Sequence, residues 1–174
     1  MVTEAAARPW HRHLDVAVNI VALVVGIVTI TYVVHSYQAH QQQPHLLPGI
    51  TKGMTAPLLS GIDYAKADQT LLLVLRSSCQ YCRADIPFYK NAAESARKSG
   101  KTQIVTVFEK TDPGARGFLN NNGLELPMIE VANLESLRAH ATPTLILVDH
   151  KGRVEDFWVG AVAQTSAPSI LGRL

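Results

Sequence analysis

The sequence has very little cysteine. Of its 174 residues only Cys79 and Cys82 are cysteines, so it has no framework of disulfides like those that staple small exported domains. The pair is therefore interpreted as a reactive or metal-ligating dithiol. Strong charge of one sign is also missing: the net charge is +2 and aromatic residues make up 6%. These values exclude the basic, aromatic-rich surface that binds nucleic acid, and no nucleic-acid partner is expected.

One long hydrophobic run lies near the N-terminus. Residues 14–34 read LDVAVNIVALVVGIVTITYVV, and as a helix rising 1.5 Å per residue they would extend about 31 Å, enough to cross a bilayer core. The alternative is a cleaved signal peptide, whose apolar region is about 7–15 residues and ends in a small-x-small site. Here the run is longer, and Tyr37 occupies a position that needs a small residue. We expect an uncleaved anchor in contact with membrane lipid.

Positive charge is distributed unevenly around this run. Arg8 and Arg12 precede it, and no Lys or Arg follows before Lys52. By the positive-inside rule, residues 1–13 form a cytoplasmic tail and the chain after the run is exported. The sequence thus predicts a single-pass membrane protein with its main domain in the periplasm or outside the cell. Such compartments are oxidising.

Residues 35–50 are polar and rich in Gln, and are predicted to form a flexible linker. Their histidines recur every five residues, a spacing that neither a helix face nor a strand face shares, so a solvated linker is favoured over metal capture; they are His35, His40 and His45. Residues 51–174 remain for one compact domain.

The cysteine pair follows a buried-strand pattern. The apolar run Leu71–Leu75 leads into Cys79-x-x-Cys82, and the residues beyond it look helical. A cysteine where a strand gives way to a helix receives unpaired N–H groups and the positive end of the helix dipole, which favour the nucleophilic thiolate. The sequence predicts that Cys79 attacks and Cys82 resolves the mixed disulfide. A purely structural disulfide is less favoured, because closing so short a loop contributes only about 2 kcal/mol.

The domain is predicted to be α/β, with a mixed central sheet and helices on both faces. The expected elements, in order, are a short strand at Leu58–Ile62, a strand at Thr70–Arg76, a helix at Arg83–Lys98 ended by Gly100, a strand at Ile104–Phe108, a helix capped by Asp112 and ending near Asn122, a short helix at Asn133–His140, a hairpin of Thr144–Val148 and Val154–Val159, and a helix at Thr165–Leu171.

That order, with Cys-x-x-Cys at the start of the first long helix, resembles the thioredoxin-like superfamily. Pro87 in the helix, Thr142-Pro143 before the hairpin and Gly160 after it strengthen the resemblance. The stretches Gly53–Pro57 and Cys82–Pro87 are more narrowly similar to the membrane-anchored, TlpA-like thiol-disulfide oxidoreductases. The resemblance implies a thioredoxin-like fold preceded by one transmembrane helix. It also implies a cis Pro143, with the Thr142 backbone available to pair with a substrate peptide.

For function, the resemblance implies a reductant of disulfides in exported proteins that is re-reduced by a membrane electron donor such as a thiol-reducing transporter. Gln80 and Tyr81 lie inside the Cys-x-x-Cys ring and are expected to tune its potential; for Tyr81, substrate contact and simple exposure are equally expected. Leu73 stands where thioredoxin keeps a buried carboxylate, and Gln80-Tyr81 matches neither thioredoxin nor the strong oxidases. A disulfide oxidase or isomerase is therefore the alternative.

Two further classes are weighed against this. A metal-binding module would hold copper(I) on the two thiolates, but zinc needs four ligands and the sequence has no second cysteine pair. We expect no metal and no cofactor. A partner-binding domain that keeps the fold without the chemistry is the third class. His140, Glu109 and Lys110 are interpreted as surface or loop charges.

Overall fold

The computed structural model describes residues 18–32, 49–162 and 166–174. The chain divides into two units, Met1–His45 and Leu46–Leu174. In the first unit, helix α1 covers residues 18–32 and exposes nearly all of its side chains. Among the described residues, no helix combines the length and the hydropathy that a membrane crossing requires. The predicted tail lies outside these residues and the predicted anchor and linker extend beyond them, so all three stay predictions.

The second unit is a five-stranded sheet with flanking helices. Its strands are β1 (Gln69–Val74), β2 (Thr102–Glu109), β3 (Met128–Val131), β4 (Thr144–Asp149) and β5 (Val154–Val159). Its α-helices are α2 (Gln80–Ala84), α3 (Ile86–Ser99), α4 (Ala115–Asn121) and α5 (Ala167–Leu171), and 3₁₀ helices lie at Tyr64–Lys66 and Leu134–Leu137.

The sheet is mixed, as predicted. Its strand order is β3-β2-β1-β4-β5, with β1, β2 and β3 parallel and with β4 antiparallel to both β1 and β5. The central strand β1 carries the apolar run that precedes the cysteines. Its carboxyl end, and hence the loop to α2, lies at the same edge of the sheet as the start of β4, because Val74 pairs with Thr144.

Both faces of β1 are buried. Leu71, Leu73 and Leu75 pack in a core with side chains of α2, α3, α4 and α5, whereas Leu72 and Val74 belong to a second core that contains the buried residues of both 3₁₀ helices. This double burial explains why the strand is continuously apolar and does not alternate. Helices lie on both faces, as expected, but those on the second face are 3₁₀ helices.

One predicted strand is absent and one observed strand was not predicted. The stretch Leu58–Ile62 forms no strand: Leu58 is 93% exposed and Gly61 has a φ of +93°. Among the described residues no strand pairs with this stretch, and the nearest bridge joins Thr55 to Arg153. Strand β3 was not predicted because it is a short edge strand whose side chains are mostly half-buried and lack a clear hydrophobic pattern.

Helix boundaries moved for identifiable reasons. The helix predicted at Arg83–Lys98 begins earlier and is divided into α2 and α3 at Asp85, just before Pro87, whose nitrogen cannot donate a hydrogen bond. Gly100 ends α3 in the left-handed conformation with a φ of +68°, as predicted. Asp112 is not the N-cap of α4, which begins at Ala115 after Gly114. Its carboxylate accepts hydrogen bonds from Ser77, in the active-site turn, and from the Gly114 N–H just before α4.

Candidate active site

Cys79 lies at the N-cap of α2. The loop after β1 turns back through a hydrogen bond from the Cys79 N–H to the Arg76 carbonyl, at 3.1 Å. The Cys79 backbone is extended, with φ −74° and ψ 118°, and its sulfur accepts the backbone N–H of Cys82 at 3.1 Å. The sulfur therefore takes the place of the oxygen that usually caps a helix. Cys79 therefore lies at the strand-to-helix junction where the sequence predicted it.

The environment of Cys79 favours its thiolate. Burial by itself raises the Cys79 pKa, but hydrogen bonds from Cys82, the Thr142 side chain and the Tyr81 backbone outweigh it, and the pKa lies below its ordinary value. The residue is partly exposed, so a substrate disulfide can reach the sulfur. A lowered pKa together with access is the environment of a reactive cysteine.

Cys82 has the opposite environment. Its side chain has no exposed surface, and burial, with smaller contributions from the hydrogen bond and charge of Cys79, raises its pKa to about 12. Both cysteines are free thiols. At neutral pH the pair thus consists of one activated, accessible sulfur and one buried, protonated sulfur.

The loop before β4 lies against Cys79. The Thr142–Pro143 peptide bond is cis, the geometry that the resemblance implied, and the Thr142 carbonyl oxygen is 3.3 Å from the Cys79 sulfur, from which it accepts a hydrogen bond when the thiol is protonated. Gly160 fixes this loop by donating its N–H to the Pro143 carbonyl at 2.8 Å. Four of the predicted site residues, Cys79, Cys82, Thr142 and Pro143, therefore lie together.

The other two predicted site residues lie at the surface of α2. Gln80 and Tyr81 are exposed, and the exposed fraction of Tyr81 is 54%. Both residues directly follow Cys79 along α2. Nothing in the structure distinguishes substrate contact from simple exposure for Tyr81, so that prediction stays open.

A carboxylate that the sequence analysis misplaced holds the active-site turn. The Asp112 carboxylate accepts the Ser77 N–H at 2.7 Å, the Ser77 hydroxyl, and the Gly114 N–H at 3.1 Å. Gly114 approaches so closely that a Cβ atom there would lie 2.4 Å from the Ser77 Oγ. The signal Asp112-Pro113-Gly114 predicts a turn, but no sequence pattern links it to Ser77.

Two buried polar residues follow Cys82 along the helix. Leu73, at the position of the carboxylate in thioredoxin, is fully buried, and a different carboxylate lies inside: Asp85 is 1% exposed and accepts the Val162 N–H at 2.8 Å. Tyr89 has no exposed surface. Neither residue was predicted to belong to the site, although the helical spacing of Cys82, Asp85 and Tyr89 groups them on one face.

Two of the residues interpreted as surface or loop charges, Glu109 and His140, line a groove beside this site. His140 is exposed and borders, together with Arg76, Glu109 and Thr142, a cavity of about 390 Å³. Glu109 accepts hydrogen bonds from the Arg76 guanidinium at 2.9 Å and the Leu134 N–H at 3.2 Å. Lys110 is exposed.

The described part of the chain contains no group of three or more His, Cys, Asp or Glu side chains placed to hold a metal ion. The three histidines of the predicted linker lie outside the described residues.

Comparison of the sequence with protein-family models and with curated proteins found no match. Solved structures do match. A Chlorobium tepidum protein titled as a thiol:disulfide interchange protein DsbE has 22% identity and a TM-score of 0.60, over 72% of this chain and 97% of that chain.

Two further structures agree with it. The thioredoxin domain of a Bacteroides vulgatus thiol-disulfide oxidoreductase has 20% identity and a TM-score of 0.55, over 64% of this chain and 91% of that one. StoA from Bacillus subtilis has 18% identity and a TM-score of 0.52, over 73% and 97%. The five-stranded domain of this protein therefore has the thioredoxin-like fold that the sequence predicted.

Proposed function

We propose that this protein is a thiol-disulfide oxidoreductase. The observation that carries the proposal is the asymmetry of the dithiol: Cys79 is accessible with a lowered pKa, while the pKa of buried Cys82 is raised to about 12. Disulfide exchange needs one nucleophilic thiolate that a substrate can reach and one thiol held in reserve. A structural pair has no need for this difference.

The exchange proceeds in two steps. The Cys79 thiolate attacks one sulfur of a substrate disulfide, which forms a mixed disulfide and releases the other substrate sulfur as a thiolate. Cys82 then loses its proton to that released sulfur and attacks the Cys79 sulfur. The bond between Cys79 and the substrate breaks, the Cys79–Cys82 disulfide forms, and the substrate leaves with two reduced sulfurs. Two electrons pass from the protein to the substrate.

We propose exported proteins as substrates and an anchored, extracytoplasmic location. Helix α1 supports this, because its large apolar side chains are exposed; Leu23 is 65% exposed. The hydroxyls of Thr29 and Thr31 donate to backbone carbonyls of the same helix at 2.8 and 2.9 Å, so their polar groups are already satisfied for a lipid environment. A membrane electron donor would re-reduce the disulfide.

The direction proposed is reduction of the substrate, on the similarity of Gly53–Pro57 and Cys82–Pro87 to TlpA-like reductants. One observation favours the reverse direction. The lowered pKa of Cys79 stabilises the reduced protein, and such stabilisation makes a disulfide more oxidising. Oxidase or isomerase activity is therefore the second candidate.

A trapping experiment tests the proposal. In the Cys82→Ser variant the mixed disulfide on Cys79 cannot be resolved, so we expect the full chain to accumulate in covalent complexes with disulfide-containing proteins of the exported fraction. A reducing agent should cleave these complexes. The Cys79→Ser variant, which keeps the buried thiol, is the matched control and should form none. Equal trapping by both variants, or by neither, would contradict the proposal.

A further inference from the structure

The hydroxyl of Tyr89 is buried without a partner. Tyr89 has no exposed surface, and its Oη makes no hydrogen bond among the described residues. Such a group is unusual because leaving a buried donor unsatisfied costs about 1–3 kcal/mol. The other buried phenol in the domain behaves ordinarily: Tyr64 donates to the Pro57 carbonyl at 2.9 Å. The lone hydroxyl of Tyr89 therefore calls for an explanation.

Tyr89 lies on the same side of the active-site helix as Cys82. The N–H groups of Asp85 and Tyr89 donate to the Tyr81 and Asp85 carbonyls, at 3.1 and 3.0 Å, so helical register continues from α2 into α3. Residues seven apart then share a face, and helical side chains lean toward the N-terminus. This spacing places Tyr89 about two turns beyond Cys82 on the same side of the helix, and we infer that its ring extends back toward Cys82.

Packing and electrostatics agree with this placement. Cys82 and Tyr89 belong to the same buried core. Burial is the main cause that raises the pKa of Tyr89, and among the charges that raise it further, Cys82 contributes more than Asp85 or Cys79. Tyr89 therefore keeps its proton at any ordinary pH and can only donate it in a hydrogen bond.

Resolution of the mixed disulfide requires a hydrogen-bond donor at this place. Cys82 must become a thiolate where it has no contact with water, against a burial that holds its pKa near 12. Hydrogen bonds from Arg76 and Thr142 offset only part of this cost, since the net shift remains upward. A further donor aimed at the developing charge would be worth far more in a dry site than in water.

We propose that Tyr89 is a positioning residue for the second step of the exchange: its hydroxyl donates a hydrogen bond to the Cys82 sulfur as that sulfur becomes a thiolate and attacks Cys79. Tyr89 itself is neither oxidised nor deprotonated. The Cys82 proton ends on the released substrate sulfur or, where that sulfur is too weak a base, on solvent, and the sulfur–sulfur bonds form and break as described above. This inference rests on the proposed thiol-disulfide exchange and assigns a residue to its resolving half.

The test separates the two steps on the purified, reduced full chain. With excess dithiobis(nitrobenzoate), attack by Cys79 releases one chromophoric thiolate and resolution by Cys82 releases a second. In Tyr89→Phe we expect the first phase to stay within about twofold and the second to slow about tenfold, the effect of one lost charge-assisted hydrogen bond. Tyr64→Phe is the matched control and should leave both phases unchanged.

Each other outcome has a distinct meaning. An unchanged second phase in Tyr89→Phe overturns the inference and leaves the proposed function intact. If both phases slow together, the substitution has disturbed the site as a whole, and the inference is again wrong. A wild-type protein with no second phase would contradict the proposed function itself. Thermal unfolding adds a check. Tyr64→Phe should lower the midpoint of unfolding and Tyr89→Phe should not. A lower midpoint in Tyr89→Phe would show that the Tyr89 hydroxyl has a hydrogen-bond partner in the folded protein and would overturn the inference.

Discussion

Substitution of Asp112 by Ala should uncouple the active-site turn from the rest of the domain. The carboxylate accepts hydrogen bonds from the N–H and hydroxyl of Ser77 and from the Gly114 N–H. Bonds to a charged acceptor contribute about 1.5–3 kcal/mol each when well shielded, but Asp112 is only half-buried and water replaces part of them. We expect the free energy of unfolding to fall by about 2 kcal/mol.

The same substitution should alter the chemistry of Cys79. Ser77 lies within the turn from Arg76 to Cys79, and this turn positions the Cys79 sulfur beneath the N–H of Cys82. With the turn released, that hydrogen bond weakens and the Cys79 pKa should move up toward its ordinary value. The assay is the rate of alkylation by iodoacetamide as a function of pH. The midpoint should shift upward and the rate at pH 7 should fall.

The control is Asp63→Ala, which also removes a carboxylate that caps backbone, since Asp63 accepts the Ala65 N–H at 3.0 Å on the opposite face of the sheet. It should lower stability without changing the alkylation profile. If Asp112→Ala loses stability but keeps the wild-type profile of Cys79, the turn does not depend on Asp112 and the reasoning is refuted.

The contribution of Asp112 should also depend on pH. Burial raises the Asp112 pKa, but the hydrogen bonds from Ser77 and Gly114 and the charge of Arg76 lower it by more. The pKa in the folded protein therefore lies below the ordinary value. The unfolded chain then binds the proton at higher pH. The stabilisation is complete above the unfolded pKa of about 3.9 and is lost as pH falls through the folded pKa.

Two other substitutions follow from the same contacts. Gly114→Ala should lower the free energy of unfolding in urea and slow the alkylation of Cys79, because the new Cβ would lie 2.4 Å from the Ser77 Oγ. The control is Gly117→Ala, where a new Cβ would meet nothing within 4 Å; it should leave stability unchanged or raise it in the same assay. Asp85→Ala should lower the free energy of unfolding by about 1–3 kcal/mol, since the buried Val162 N–H loses its acceptor. Asp85→Asn keeps an acceptor oxygen and should lower it by less in the same assay. Equal losses would mean that this hydrogen bond contributes little.

The parts of the fold that depend on short stretches of sequence could be predicted. Strand β1 was found because a strand buried on both faces is continuously apolar, and the hairpin of β4 and β5 because turn residues separate two apolar runs. Cys79 and Cys82 were found because their spacing is itself the signal. Edge strand β3 lacks such a signal, since only Val131 in it is buried. In Leu58–Ile62 the residue types favoured a strand, but the described part of the chain offers no partner strand for it.

The parts of the site that depend on contacts between distant residues could not be predicted from the sequence. Ser77 and Asp112 meet across 35 residues of chain, and the parallel pairing of β1 with β2 brings them to the same edge of the sheet. The partner of Asp85 is a backbone N–H at Val162, and a backbone group has no identity in the sequence. Tyr89 reads as an ordinary core residue until its hydroxyl is seen to lack a partner.

The most direct test of the central claim is the equilibrium reduction potential of the Cys79–Cys82 pair in the full chain. An oxidoreductase should titrate reversibly as a two-electron couple against glutathione or dithiothreitol, and the proposed reductant should have a potential near that of thioredoxin, about −270 mV. A value near −120 mV would reverse the proposed direction of electron flow. A pair that does not titrate reversibly would contradict the assignment of thiol-disulfide exchange to this site.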